Sequence, residues 1–246
     1  MVINNILNSL EVFMRYNVDA SVFAINPNIK FGILIAKNIK NSATMTGDEG
    51  RLRDAEKRMR ETFQVDQVRE LANVSFYRTI MTQAGINPNK FPPSVEAMFK
   101  RILKGGCLPV INALVDLCNA VSIEQIISLG AHDLNDMDKD LEVRFSKGGD
   151  LFLPFGATEY EAVDKGELVF TSGNIVQTRK WIWRQSELGK TTIHSKDIFF
   201  QLVGFDDNKE STLKKAMEDI ESLVVDRFQG TCEKYIVDLN NTYIDF

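Results

Sequence analysis

Three polar residues interrupt an otherwise apolar segment, VINALVDLCNAV, at residues 110–121. They are Asn112, Asp116 and Asn119, and their spacings of four and three residues place them on one face of a helix. Such a stripe could line a polar pocket, or it could simply meet solvent. Because Lys and Glu form helices better than Asn and Asp on an exposed face, the residue types favour the pocket slightly and leave both interpretations open.

A histidine follows a glycine in the segment SLGAHDLND, residues 128–136, which we interpret as a polar loop. His132 stands beside Asp133, and a histidine in such a loop can position or deprotonate a water near neutral pH. Neighbouring residues do not normally form a catalytic His–Asp pair. The dipeptide alone therefore does not establish a catalytic site.

Aromatic residues precede two arginines of the chain. Trp183 offers a flat stacking surface, and Arg184 offers a forked donor for a carboxylate or phosphate. The alternation of Trp181 with Trp183 predicts a strand with both rings on one face, which core packing would also explain. Arg78, which follows another aromatic pair, has the same two interpretations.

Several kinds of site have no support in the sequence. The chain contains no GxSxG elbow, Walker loop or dinucleotide fingerprint. The three cysteines, Cys107, Cys118 and Cys232, lie far apart and form no CxxC pair, which argues against disulfides and a zinc knuckle. His132 and His194 have no metal-ligand spacing. We therefore expect neither a metal nor a cofactor.

Composition and charge narrow the class of partner. The 246 residues are 44% hydrophobic and 26% charged, as in ordinary globular proteins, and the net charge is −5. Strong non-specific binding to DNA or RNA is disfavoured, because that binding needs a basic surplus. Docking of one RNA end through a local basic patch stays open. Since neither a long apolar run nor a signal-like leader is visible, we expect no membrane association and a cytoplasmic location.

The first half of the chain predicts mainly helices. Residues 30–39 are apolar and β-branched, as in a buried strand. Residues 48–72 are rich in charged helix formers, which predicts one long surface helix capped by Asp48. After a proline-rich segment, Ser94 is expected to cap a helix over residues 95–103, and Gly105 and Gly106 end it. Pro109 then opens the helix over residues 110–121.

The second half predicts mainly strands. We expect strands over residues 141–145, a hairpin joining 166–170 to 175–183, a further strand over 197–205, a helix over 210–228 and a last strand over 232–239. Together these elements predict an α+β fold with mixed or antiparallel sheets and flanking helices. No linker is evident, so we treat residues 1–246 as a single domain.

Six strings in this order resemble a known family: NVSFYR (73–78), GINPNKFPPSVEAMFKR (85–101), LPVINALVDLCNAVS (108–122), GAHDL (130–134), GELVF (166–170) and WIWRQS (181–186). They are similar to the tRNA-editing domain of the phenylalanyl-tRNA synthetase β subunit in its free-standing form. The resemblance covers about residues 71–205. The second and third strings are its most specific parts.

The resemblance implies a small amino-acid pocket where helix and sheet meet. In the synthetase this domain hydrolyses tyrosine wrongly esterified to the phenylalanine tRNA. The match of GAHDL gives His132 the position associated with placing the hydrolytic water. The synthetase recognises the tyrosine hydroxyl with a glutamate, on a strand that aligns with residues 197–205, where this chain carries Gln201. That replacement removes the carboxylate and puts tyrosine in doubt as the substrate.

Three functions are therefore considered. The first is trans-acting hydrolysis of mischarged aminoacyl-tRNA, a step of translation quality control. In it His132 is catalytic and the substrate is bound by Arg78, Asn112, Asp116, Asn119, Asp133, Trp183, Arg184 and Gln201. The second is a non-catalytic module that binds a free amino acid, a related small molecule or RNA. The third is a metabolic enzyme that uses the same pocket. The expected partner is the aminoacylated 3′ end of a tRNA or an amino acid.

Overall fold

The computed structural model of the protein describes residues 14–205 and 211–246. Within these ranges the α-helices are α1 (Ala20–Ile25), α2 (Thr46–Thr62), α3 (Ala72–Gln83), α4 (Ser94–Leu103), α5 (Ala113–Gln125) and α6 (Thr212–Ser222). The strands are β1 (Arg15–Val18), β2 (Ile29–Lys37), β3 (Ser128–Asp133), β4 (Leu141–Phe145), β5 (Leu151–Phe152), β6 (Glu161–Ala162), β7 (Leu168–Ser172), β8 (Ile175–Arg179), β9 (Arg184–Gln185), β10 (Ile198–Phe205), β11 (Thr231–Val237) and β12 (Tyr243–Asp245).

The strands form two sheets. The smaller sheet has the order β11-β2-β10-β3 and is antiparallel throughout. The larger has the order β12-β1-β4-β7-β8-β5-β6, with β9 against β8, and it is mixed because β1 pairs with β4, and β5 with β8, in parallel. The expected α+β fold with mixed and antiparallel sheets and flanking helices is confirmed.

Strand β10 lies inside the small sheet and separates two apolar cores. Successive side chains of a strand point to opposite faces. Phe199 and Val203 therefore belong to the core shared with the large sheet, whereas Phe200 and Leu202 belong to the core beneath α5 and α6. Gln201 lies on the same face as Phe199. It is thus a polar residue within an apolar layer, 6% exposed.

Two glycines let α6 pack directly on the small sheet. A Cβ atom at Gly32 would lie 2.6 Å from the Met217 sulfur, and one at Gly204 would lie 2.9 Å from Leu213 Cβ. A side chain at either position would press on α6, above all at Gly204, where the neighbouring atom is a Cβ. The glycines therefore set the depth of the core beneath β2 and β10.

The expected long helix over residues 48–72 is wrong in its extent and its exposure. Helix α2 ends at Thr62, and a 3₁₀ turn at Gln67–Glu70 precedes α3. One face of α2 is buried, including Leu52 and Glu56. Asp48 is not its N-cap but lies in the first turn, where its carboxylate accepts a hydrogen bond from Met45 N and pairs with Arg227. The many charged helix-forming residues of this segment predict one continuous exposed helix, and they indicate neither the break after Thr62 nor the buried face of α2.

Other boundaries also differ from expectation. Helix α4 begins at Ser94 with Pro93 as its N-cap residue, so Ser94 does not cap it. Helix α5 begins at Ala113, with the Asn112 side chain capping it through Val115 N. The segment expected to be a polar loop forms β3. The expected helix over 210–228 is α6, continued by a π-helical turn at Leu223–Arg227; residue 210 lies outside the described residues.

The hairpin strand expected over residues 175–183 ends early. Strand β8 stops at Arg179, and the next two residues have positive φ, 49° for Lys180 and 67° for Trp181. Trp181 and Trp183 therefore do not alternate along one strand face, as the sequence had predicted. Trp181 is fully buried and Trp183 is half-buried.

Candidate functional site

A cavity of about 90 Å³ lies where β3 and β10 meet the turn between β8 and β9. Its lining comes from both sheets and from the start of α4: Ser94, Ser128, Leu129, Gly130, His132, Thr178, Trp181, Ile182, Trp183, Arg184, Gln185, Gln201 and Val203. Four of the predicted site residues, His132, Trp183, Arg184 and Gln201, therefore share one cavity.

Strand β3 presents His132 to this cavity. Alternation along the strand places Ser128, Gly130 and His132 on one face. The imidazole folds back over Gly130, since a Cβ atom there would lie 2.9 Å from His132 Nε2. Phe170 contacts the ring edge to face, with 5.0 Å between centroids. Only a glycine at position 130 leaves room for this orientation of the histidine.

The surroundings fix the protonation of His132. Its side chain is buried at 1% exposure, and this burial lowers its pKa to about 3. The imidazole is therefore neutral near pH 7. Gln185 Nε2 donates to the carbonyl oxygens of Ala131 and Gly189 at 3.0 and 3.3 Å, so the amide nitrogen, and not the amide oxygen, lies 3.2 Å from His132 Nδ1. An amide nitrogen cannot accept a hydrogen bond, so this contact favours the tautomer that carries its proton on Nε2, the atom that lies over Gly130.

A buried tyrosine orients the side chain of Gln201. Tyr16, which is fully buried in β1, donates its hydroxyl proton to Gln201 Oε1 at 3.0 Å. Burial raises the pKa of Tyr16 well above its ordinary value, so the hydroxyl stays protonated. Rotating the amide by 180° would leave that proton without an acceptor. Gln201 therefore offers its Nε2 group to the cavity, and this nitrogen has no hydrogen-bond partner within the described residues.

The turn that closes the cavity is strained. Positive φ angles at two successive non-glycine residues, Lys180 and Trp181, cost about 1–3 kcal/mol each. Two hydrogen bonds hold the turn, from Trp181 N to the Leu168 carbonyl at 2.8 Å and from Lys180 N to Glu167 Oε1 at 3.0 Å. Trp181 Nε1 is buried and lacks an acceptor among the described residues. Strain and an unpaired donor in a cavity wall are typical of functional sites.

The rim carries an aromatic ring and a cation. Trp183 packs edge to face on Phe91, with 4.8 Å between centroids. Arg184 is exposed, and its guanidinium carbon lies 6.0 Å from the centre of the Trp183 ring. Arg184 makes no ion pair with a described residue. A ligand that reaches the cavity would thus pass a stacking surface and an available positive charge.

Arg78 lies away from this cavity, in the wall of a separate, open one. Its guanidinium donates to both oxygens of the fully buried Glu96, at 3.1 and 3.0 Å, and to the Pro88 carbonyl. It also donates to Asn89 Oδ1 at 2.6 Å. These bonds tie α3 to the proline-rich segment and to α4. The observed role of Arg78 is to hold these elements together.

The polar stripe near α5 does not line the cavity either. Asn112 caps the helix and donates to the Thr191 carbonyl at 3.2 Å, while the fully buried Asp116 accepts from Ile111 N and from the Thr44 hydroxyl. The two residues anchor neighbouring loops, which explains why Asn and Asp occur there. Asn119 is half-buried on α5 outside the cavity.

Asp133 is also outside the cavity lining, because it follows His132 and points to the opposite face of β3. Its carboxylate accepts from Asn135 N at 3.0 Å. The interaction closes the turn after β3 and gives Asp133 no contact with the imidazole.

Sequence reasoning missed several cavity residues. Tyr16 lies more than a hundred residues from its partner, and no local pattern connects the two. Gln185 and Trp181 appeared only as neighbours of Arg184 and Trp183. Gly130 carried a usable signal, because a glycine two residues before a histidine in a strand leaves room beside that histidine.

Two wider searches of the described residues gave negative findings. No three His, Cys, Asp or Glu side chains in residues 14–205 and 211–246 come together as a group that could hold a metal ion. Within the same ranges, no helix has the length and apolar character needed to cross a membrane.

A family model for the B3/4 domain matches residues 77–239. The chain therefore belongs to the B3/4 domain family, a domain found in the phenylalanyl-tRNA synthetase β subunit. The matched range includes the whole cavity lining and leaves out Tyr16 in β1.

Comparison with solved structures finds similarity to an N-terminal fragment of the phenylalanyl-tRNA synthetase β subunit from Pyrococcus horikoshii. The sequences are 9% identical with a TM-score of 0.42, and the alignment covers 90% of this chain and 53% of that chain. This chain thus spans about half the length of that fragment. A search among curated proteins found no match.

Proposed function

We propose that the protein hydrolyses mischarged aminoacyl-tRNA in trans, with the amino acid held in the cavity beside His132. The observation that carries this proposal is the buried, neutral His132 imidazole in the wall of a small cavity, with Gln185 Nε2 against its Nδ1. Membership of a domain family found in an aminoacyl-tRNA synthetase subunit supports the choice of substrate. Residues 1–246 are treated as one editing unit, because β1 near the start pairs with β12 near the end.

The reaction needs no strong base from the protein. An aminoacyl ester is already activated, so a held water can attack its carbonyl carbon as the bond to the ribose oxygen breaks. The water proton passes to the leaving ribose oxygen, with the neighbouring ribose hydroxyl as the carrier. His132 Nε2–H acts as a hydrogen-bond donor that fixes the water or the carbonyl oxygen. Because Nδ1 is engaged by Gln185 and the pKa is about 3, we do not assign His132 the role of general base.

The rim residues suit the end of a tRNA. Trp183 can stack on a base, and Arg184 can pair with a backbone phosphate. Contacts of this kind add a local basic patch to a chain whose net charge is −5. Binding should therefore be weak and limited to the aminoacylated end.

Deacylation of a panel of mischarged tRNAs tests the proposal. The wild-type protein should release at least one amino acid faster than the uncatalysed ester hydrolyses, and His132→Ala should slow that release about tenfold or more. The matched control is His194→Ala, which removes an exposed histidine outside the cavity. No release across the whole panel, or equal effects of the two substitutions, would contradict the proposal.

A second function is favoured by one observation. His132 is neutral and fully engaged at Nδ1, an arrangement that serves ligand binding as well as catalysis. In this alternative the protein binds a free amino acid or a related small molecule without turnover. A ligand at about 100 times its dissociation constant adds about 2.7 kcal/mol of stability, which a thermal-shift screen detects. Stabilisation without deacylation supports this alternative.

A further inference from the structure

We infer that the cavity takes a ligand group that bears a carboxylate, so that the substrate amino acid is an acidic one. This inference rests on the proposed function for the identity of the substrate. The preference for a carboxylate is inferred from the residues of the cavity alone. The side chains of the wall differ in whether they can donate or accept hydrogen bonds, and this difference selects the ligand group.

Two side chains of the cavity wall present donor groups to the cavity. Gln201 presents Nε2 because Tyr16 occupies its oxygen, and His132 presents a protonated Nε2 because Gln185 occupies Nδ1. An indole nitrogen can only donate, and Trp181 Nε1 has no acceptor in the described part of the chain. Two donors in the wall of one small cavity favour a ligand group that offers acceptor atoms.

Charge points to the same kind of ligand. Arg184 stands at the rim without an ion pair to any described residue, and no Asp or Glu is among the lining residues. The hydroxyl oxygens of Ser94 and Ser128 lie 3.2 Å apart. Each hydroxyl can donate or accept a hydrogen bond, so the two serines disfavour neither an anionic nor a cationic ligand group. A carboxylate accepts several hydrogen bonds and pairs with arginine, whereas an ammonium group, which only donates, would be opposed by the Gln201 and His132 donors.

Size also favours a compact group. The cavity of about 90 Å³ is smaller than the roughly 150 Å³ of an apolar cavity that takes up benzene. A phenol ring would extend beyond it toward the rim. A carboxylate on a short aliphatic stem fits within it and reaches the buried donors.

Two substitutions at the amide and its support probe the inference. Gln201→Glu replaces the donor with an acceptor that Tyr16 can still hold, and it places a negative charge beside the ligand. Tyr16→Phe keeps Gln201 but frees its amide to rotate, so the donor is no longer enforced. The matched control is Gln64→Glu, which adds the same charge at an exposed residue outside the cavity.

The experiment measures deacylation rates for tRNAs charged with aspartate, glutamate, asparagine, glutamine, phenylalanine and tyrosine. Wild type should favour the acidic residues over their amides by about tenfold or more. Gln201→Glu should lower the acidic rates by about tenfold at pH 8, Tyr16→Phe should narrow the preference, and Gln64→Glu should change neither. A preference for tyrosine, phenylalanine or the amides in wild type would overturn the inference while leaving the proposed function intact.

A binding experiment separates the inference from the proposed function. Free aspartate and glutamate are titrated against each protein and the melting temperature is followed. Stabilisation of wild type by the acids, lost in Gln201→Glu, upholds the acidic ligand even where no tRNA is deacylated. Equal stabilisation of wild type and Gln201→Glu, or stabilisation by the amides alone, would overturn it. If Gln201→Glu fails to fold, Tyr16→Phe supplies the same comparison.

Discussion

The buried imidazole of His132 makes the stability of the protein depend on pH in a defined direction. Its pKa is about 3 in the folded state, whereas an exposed histidine in the unfolded chain has an ordinary value of about 6.5. Below pH 6.5 the unfolded state binds a proton that the folded state does not, so stability falls as the pH falls toward 3. Above pH 6.5 neither state carries the proton, and the contribution is constant.

The size of the effect follows from that difference. A pH of 5 lies about 1.5 units below the pKa of the unfolded histidine, whereas the folded histidine remains neutral at that pH. Each of these pH units changes the free energy of unfolding by about 1.4 kcal/mol. His132 should therefore remove about 2 kcal/mol of unfolding free energy between pH 7.5 and pH 5. In His132→Gln this part of the loss should disappear. The control, His194→Gln, should keep it.

Urea unfolding at both pH values measures the effect, since only the change within each protein is compared. Equal losses of unfolding free energy in wild type and His132→Gln would refute the assignment. If His132→Gln does not fold, NMR of the wild-type imidazole gives the same answer. Its signals should stay unchanged down to pH 5, and a titration centred near pH 6.5 would contradict the buried neutral state.

Three further substitutions have defined outcomes. Gly130→Ala brings a methyl group to 2.9 Å from the imidazole, so denaturation should show a loss of about 1–3 kcal/mol and deacylation should fall with it. Asp150→Ala leaves the buried Arg144 without its bidentate partner and should cost about 3–5 kcal/mol in urea unfolding. Glu96→Ala removes the carboxylate that Arg78 holds; it should lower the melting temperature, whereas unchanged melting would contradict the structural role of that pair.

The elements that could be predicted from sequence are those whose residues obey one periodicity. β2 and β10 are continuous apolar strands, and their predicted limits agree with the structure within two residues. The sequence predicts a loop where β3 lies, because the glycine and polar residues of this strand face a cavity rather than a core. The break between α2 and α3 has no clear sequence signal, because residues 63–71 contain neither proline nor glycine and still carry Asp66, Arg69 and Glu70.

The candidate site was only partly accessible from the sequence. His132, Trp183, Arg184 and Gln201 could be named from residue types and from the family resemblance, and all four line the cavity. Which atom of each one faces a ligand could not be predicted, because that depends on partners distant in sequence. Tyr16 and Gln185 decide it by occupying one end of an amide and one nitrogen of an imidazole.

The polar stripe at the start of α5 is a case in which the sequence predicts site residues that the structure places outside the cavity. Asn112 and Asp116 were chosen for their spacing on a helix, yet their side chains are used by loops that pack against the helix end. Spacing along one helix cannot reveal neighbours that the fold brings from elsewhere in the chain.

The most direct test of the central claim is the release of amino acid from mischarged tRNA by wild type and His132→Ala under single-turnover conditions. We expect measurable release by wild type from at least one mischarged tRNA. In His132→Ala the rate of release should be lower by about tenfold or more. Equal rates in the two proteins, or no release from any charged tRNA, would contradict an editing site at this cavity.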